Sequence, residues 1–296
     1  MQVAFVFNPI RRGFSFWYQF DLLRRGLEEN GVKVRLFDTF TERLKGYDIL
    51  VWWVPFRTPE FERLAVKPIR YTKLQVFYNP IDTNDISPFV WSRVKNFADV
   101  VLVASTHNEK LWKKYGFTTI KVPHAIDPDL LPQDCELNDS LYYFEARTFP
   151  IRRGADIAYQ TIKRLGLTPY LFNDFSPTLT DHLMRICKAG NYVIPARGGE
   201  FEIQTIEALA MGMRVYYSER EIFDYVKDYK PTFPINGEYC NTEFVGDIYQ
   251  TGCYDNVQPV NELPSLPRPD SKYYKREFSY TSVAKKFIEE ISNDDM

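Results

Sequence analysis

Residues 197–215, RGGEFEIQTIEALAMGMRV, decide the fold. Tyr192-Val193-Ile194-Pro195 before them and Val215-Tyr216-Tyr217 after them are short apolar runs that predict buried strands. The segment between is therefore a strand, a glycine turn and a helix, the usual housing of an anion at a helix N-terminus. Ile203, Ile206, Leu209 and Ala210 recur at helical spacing on one face, while Gln204 and Glu207 fall elsewhere on the turn. Gly212 is expected to stop the helix. The Gly198-Gly199 turn frees the backbone to approach a ligand closely, and Glu207, two turns into the helix, can accept hydrogen bonds from a ligand's hydroxyls. Alone, a unit of this kind as often merely packs.

Working outward, strand and helix alternate along the whole chain. Val3–Phe7 predicts a strand, Asn8–Gly13 a loop, Phe16–Asn30 a helix closed by Gly31, and Val32–Phe37 the next strand. Further strands are expected at Tyr47–Val54, Leu74–Tyr78, Val100–Ala104 and Thr119–Val122, with a helix over Asn108–Tyr115. Such continuous apolar runs suit a parallel sheet covered on both faces. The polar QDCELND stretch between Pro132 and Ser140 is the best linker. A second alternation follows: strand 141–144, helix 154–165, strand 169–172, helix 180–188, and then the opening stretch. Two domains result, 1–135 and 136–296, each doubly wound, with a cleft expected at the carboxyl ends of their sheets.

Composition sets limits on function. With 296 residues, 45% of them apolar, the chain can bury a sizeable core. The net charge of -2, from 37 basic and 39 acidic residues, disfavours nucleic acid and allows at most a peripheral membrane contact. Cys135, Cys187, Cys240 and Cys253 show no metal-ligand spacing and read as free buried thiols, so no metal is expected. No run of about 18 apolar residues and no leader pattern is seen, and a cytoplasmic protein is expected. The 16% aromatic content has no account at this level.

A second anion-binding candidate is Phe144–Gly154, FEARTFPIRRG. It puts Arg147 at the end of a strand and Arg153 at the start of the next helix, both able to face the 197–207 turn. Two guanidinium forks would suit a diphosphate, whose charge they neutralise as it leaves. A solvated helix start is the competing reading of Arg152 and Arg153.

Four segments together carry a resemblance: ADVVLVAST with LWKKYGFTTIKVPHAIDPDLL at 98–131, FEARTFPIRRGAD at 144–156, EFEIQTIEALAMGMRV at 200–215, and FSYTSVAKKFIEEI at 278–291. In this order they resemble the retaining glycosyltransferases of family 4. The resemblance implies the GT-B fold: two Rossmann-like domains facing across a cleft, with a C-terminal helix returning to the N-terminal domain. It further implies transfer of a sugar from a nucleotide-diphosphate donor such as a UDP- or GDP-sugar, without a cofactor, to a glycan, lipid or protein acceptor. Arg147 matches the family's arginine and Arg153 its lysine, and both would hold the pyrophosphate as the catalytic residues. Glu207, the second acid of the family's acid pair, would hold the ribose hydroxyls. Backbone amides of Gly199, Glu200, Phe201, Glu202 and Ile203 would contact the donor sugar or phosphate, and Gly13 with Arg11 would lie near the phosphates on the acceptor side.

Departures from the pattern are specific. Gly199 stands where the family has its first acid, with Glu200 and Glu202 beside it, so either Glu200 swings into that role or the donor-sugar contact differs. That glycine keeps open a non-catalytic nucleotide-sugar binding module of the same fold. His124 replaces an asparagine and reads as a structural loop residue; His107 and His182 read as helix-surface residues. Asn79 or Asp82 stands where the family has an acceptor-side histidine.

Overall fold

The computed structural model describes residues 1–7, 15–53, 61–62, 70–79, 81, 84–146, 150–172, 176–240 and 253–293. Arg11, Gly13, Asp82 and Arg147 lie outside them. Two compact units emerge. The first is built from Met1–Ala125 together with Tyr280–Met296, the second from Ile126–Asn241 and Cys253–Ser279.

The first unit carries strands β1 (Gln2–Phe7), β2 (Lys33–Phe37), β3 (Ile49–Trp53), β4 (Leu74–Tyr78), β5 (Val100–Val103) and β6 (Thr118–Lys121). They form one sheet in the order β2-β1-β3-β4-β5-β6, every described pair parallel. Central β3 and β5 are buried at every position, whereas edge strands β2 and β6 alternate with exposed residues. That gradient is what helices on both faces impose on a parallel sheet. Helices α1 (Ser15–Glu29), α2 (Pro88–Phe97) and α3 (Thr106–Lys114) make the connections, and α2 was not expected from the sequence.

The aromatic content now has a packing account. Phe7 stacks on Trp53 at 4.8 Å and meets Phe20 at 4.9 Å, while Trp52 lies 4.7 Å from Phe77 and 5.0 Å from Phe97. Such pairs add about 0.5–1.5 kcal/mol each beyond area burial. Asn79, at the end of β4, accepts from the Trp112 indole at 2.8 Å and the Ile81 amide at 3.0 Å. Its buried carbonyl thereby serves the core.

Buried His124 stacks on Tyr78 with 6.1 Å between ring centroids, and burial depresses its pKa to about 3. The native state therefore resists protonation that the unfolded chain accepts below about pH 6.5. Its contribution is complete above that pH and is lost as pH falls toward 3. This residue contributes a loss of about 1.4 kcal/mol per pH unit below 6.5, measured as the stability difference between the wild type and His124→Phe, which keeps the stack, from urea midpoints between pH 7 and 5. That difference should shift toward the variant as pH falls.

The second unit contains β7 (Asn138–Tyr143), β8 (Thr168–Tyr170), β9 (Ala189–Ile194) and β10 (Arg214–Tyr217), parallel in the order β10-β9-β7-β8. Between them run α4 (Ala155–Arg164), α5 (Leu179–Ile186) and α6 (Ile203–Ala210). Strand β7 begins inside the expected linker, at Asn138. An antiparallel hairpin, β11 (Ile235–Cys240) with β12 (Cys253–Val257), and helix α7 (Ser271–Glu277) complete the unit; neither was read from the sequence.

The last helix, α8 (Tyr280–Ser292), belongs to the first unit and packs on α1. Gly26 permits this, because a Cβ there would collide with the Tyr280 carbonyl and lie 2.7 Å from the Ala284 side chain. This is the returning helix expected from the sequence.

The cysteines correct one expectation. Cys253 is disulfide-bonded, and strand register sets Cys240 opposite it. Cys135 and Cys187 are free thiols, and burial together with Cys187 pushes Cys135 up to about 12.

Candidate functional site

In the second sheet β7 pairs with β8 on one side and β9 on the other, so the chain reverses direction between β7 and β9. Ligands of open α/β sheets bind outside the carboxyl ends of the strands at such a switch point. The loops leaving β7 and β9 are 144–154 and 195–202. They carry the two candidate segments.

The two loops are stitched together. The Arg197 amide donates to the Arg152 carbonyl at 2.7 Å and the Gly198 amide to the same oxygen at 3.3 Å. Gly154, with a φ of +70°, caps α4 and lies so close to Pro195 that a Cβ would collide with the Pro195 carbonyl. Arg197 forms a two-pronged bond with Asp156 in α4, both at 2.7 Å, and donates to the Ile151 carbonyl at 2.8 Å. Arg220 then donates to the Arg197 carbonyl and to Asp255 of β12. Arg197 opens the motif in the sequence, but its task is scaffolding.

On this frame stand the candidate binding groups. Glu207 lies just over one turn into α6, which starts at Ile203, closer to the helix N-terminus than expected. Its side chain is buried, and among the described residues nothing hydrogen-bonds its carboxylate. Burial pushes its pKa up to about 7 against the pull of the Arg153 charge. No side chain caps α6 at its N-terminus, leaving its first amides available to an anion.

Arg153 donates through Nη1 to Gln204 Oε1 at 3.2 Å, and its Nε lies 3.7 Å from Glu202 Oε2. Its side chain is 17% exposed and that of Glu202 4%, so the pair is screened little by solvent. Of the two acids flanking the missing one, Glu202 has the telling position. A Cβ built on Gly199 would lie 2.7 Å from Glu202 Oε1, so this carboxylate fills the space where a side chain at 199 would begin. Gly199 itself has a φ of +134°, a conformation that disfavours any other residue.

Glu200 is buried in the same turn, and Ile203 begins the helix. The Phe201 ring packs on Tyr225 at 4.3 Å, which leaves only its backbone for a ligand. The structure thus brings Arg153, Glu207 and the 199–203 turn together in one unit. Sequence reasoning gave no site role to Asp156, Arg220, Asp255, Gln204 or His182, whose partners are distant in the chain.

Two units, each on a parallel sheet, with the first completed by the last helix, define the fold as that of the GT-B glycosyltransferases. The chain is similar to sucrose-phosphate synthase from Thermosynechococcus elongatus, with a TM-score of 0.61, 11% identity and 98% of each chain covered. It is also similar to Anabaena Alr3699/HepE, solved with UDP and glucose, with a TM-score of 0.57, 13% identity and 99% of each chain covered. In sequence it is 24% identical to "Putative glycosyltransferase 45" of Sulfolobus islandicus filamentous virus, covering 92% of this chain and 90% of that protein. No family model matches. Among the described residues no helix is long and apolar enough to cross a membrane.

Proposed function

We propose that the protein is a glycosyltransferase that moves a sugar from a nucleotide-diphosphate sugar to a glycan, lipid or protein acceptor, with retention at the anomeric carbon. One observation carries the reading: a buried guanidinium, Arg153, and a buried carboxylate with no hydrogen-bond donor among the described residues, Glu207, meet beside an uncapped helix N-terminus at the sheet's switch point. That set matches a nucleoside diphosphate. Arg153 and the α6 amides take the phosphates, and Glu207 accepts from the ribose hydroxyls. Arg147 shares the phosphates on the strength of the sequence resemblance, and Gly13 with Arg11 holds the acceptor side. Glu202 takes the donor-sugar hydroxyls in place of the acid absent at Gly199.

In the transfer, the bond from the anomeric carbon to the diphosphate oxygen breaks and leaves its electron pair on that oxygen. Arg153 and Arg147 offset this charge. The acceptor oxygen forms the new bond on the same face, and its proton passes to the departing phosphate. Orientation and charge neutralisation are the protein's whole contribution. The viral relative's name and the UDP and glucose bound by the Anabaena protein support this reading.

The test is a thermal-shift screen of nucleoside diphosphates and their sugars, followed by an assay for released sugar. A true ligand at about a hundred times its dissociation constant adds roughly 2.7 kcal/mol of stability. If no nucleotide raises the melting temperature, the reading fails. A shift without any sugar release, with or without acceptor glycans, would instead establish the binding module that Gly199 leaves open.

A further inference from the structure

Arg153 does not hold its own position. Gln204 Oε1 accepts from Arg153 Nη1 and also from the Tyr192 hydroxyl, both at 3.2 Å. Arg153 can only donate, so the atom it meets is the amide oxygen, and the Tyr192 hydroxyl, which burial keeps protonated well above its ordinary range, donates to that same oxygen. Two donors on one face fix the amide: its oxygen faces Arg153 and its NH2 faces the other way. There it meets His182 Nε2 at 2.9 Å. An NH2 can only donate, so Nε2 must be the accepting nitrogen of a neutral ring whose proton is on Nδ1. The imidazole stands edge-on to Phe172 at 6.2 Å and to Tyr143 at 6.4 Å, and Tyr143 stacks on Tyr192 at 5.5 Å. One aromatic stack thus carries both groups that orient Gln204.

We propose that Gln204 and His182 are positioning residues for the diphosphate-binding guanidinium of Arg153, with the imidazole acceptor setting which way the Gln204 amide points. The proposal rests on the reading of Arg153 given above. Without the acceptor on His182, the amide is free to rotate and present its NH2 to Arg153, donor against donor. Arg153 would then swing away from the α6 N-terminus. His182, half-buried on α5, is therefore more than the helix-surface residue its place in the sequence implied, and Gln204 is more than a polar position on α6.

The test measures binding of inorganic pyrophosphate to the full chain by titration calorimetry, with melting curves as a folding control. Arg153→Ala should weaken binding by more than tenfold, which checks the underlying reading. Gln204→Ala should weaken it by about tenfold, the scale of one hydrogen bond to a charged group. His182→Phe keeps the ring packing and removes the acceptor, so it should weaken binding several-fold with an unchanged melting curve. His182→Gln, which restores an acceptor, should recover most of the loss. If Arg153→Ala weakens binding while His182→Phe matches the wild type, the positioning role is overturned and the Arg153 assignment stands. Wild-type affinity in Arg153→Ala would overturn both. Equal losses in His182→Phe and His182→Gln would also overturn the proposal, because packing alone would then explain the effect.

Discussion

Glu207→Gln is expected to weaken nucleoside-diphosphate binding about a hundredfold at pH 8 while making the unliganded protein more stable. The first part follows from the proposed role of Glu207, a carboxylate accepting from two ribose hydroxyls, each bond to a charged group contributing about 1.5–3 kcal/mol. The second follows from linkage. Burial raises the Glu207 pKa from 4.5 to about 7, so the native state holds a proton that the unfolded chain releases. Stability from this group is present below 4.5 and lost as pH rises toward 7. Above 7 the charged carboxylate costs the fold about 3 kcal/mol, which glutamine avoids. Calorimetric titrations from pH 5.5 to 8.5 check both halves. Wild-type affinity should rise as Glu207 ionises and level off above 7, and the variant's should be flat. A variant that binds as tightly as the wild type at pH 8 would remove Glu207 from the site.

Arg220→Met should cost about 3–5 kcal/mol of stability, the range seen when one partner of a buried ion pair is removed. The Arg220 side chain is fully buried and holds both Asp255 and the Arg197 carbonyl. Its loss takes the guanidinium away from Asp255 and loosens the turn that carries Gly199. Denaturant midpoints at constant slope report the stability, and nucleotide affinity in the folded fraction reports the turn. Replacing Asp255 with Asn in the same chain should recover part of the loss, because the charge that Arg220 balanced is then gone as well. A cost below about 1 kcal/mol would show that the pair contributes as little as a surface salt bridge.

Legibility in the sequence follows the reach of each interaction. The 197–215 stretch could be read because its strands are continuous apolar runs and its turn is marked by paired glycines. Helix α2 carried readable signals that went unused: Pro88 in its first turn, and Val90, Val94 and Phe97 at helical spacing. The start of α4 was legible because helix starts are local events, whereas Glu207 was set on the right helix but about a turn too deep. What holds them was not legible. Arg197 and Asp156 are 41 residues apart, Arg220 and Asp255 35, and Gln204 and His182 22. No periodicity links residues at such separations, and only the folded sheet brings them together. The disulfide at Cys253 was missed for the same reason, since only the pairing of β11 with β12 sets it opposite Cys240, 13 positions away in the chain.

The fit of α8 against Gly26 has a bearing on synthesis. The first unit stays incomplete while the ribosome is still making the second, because the helix that covers α1 follows the second unit in the chain. Until then a nascent chain exposes the apolar stripe where Ala284 and Phe287 will dock. Closure must wait for α8, so the two units cannot mature strictly one after the other.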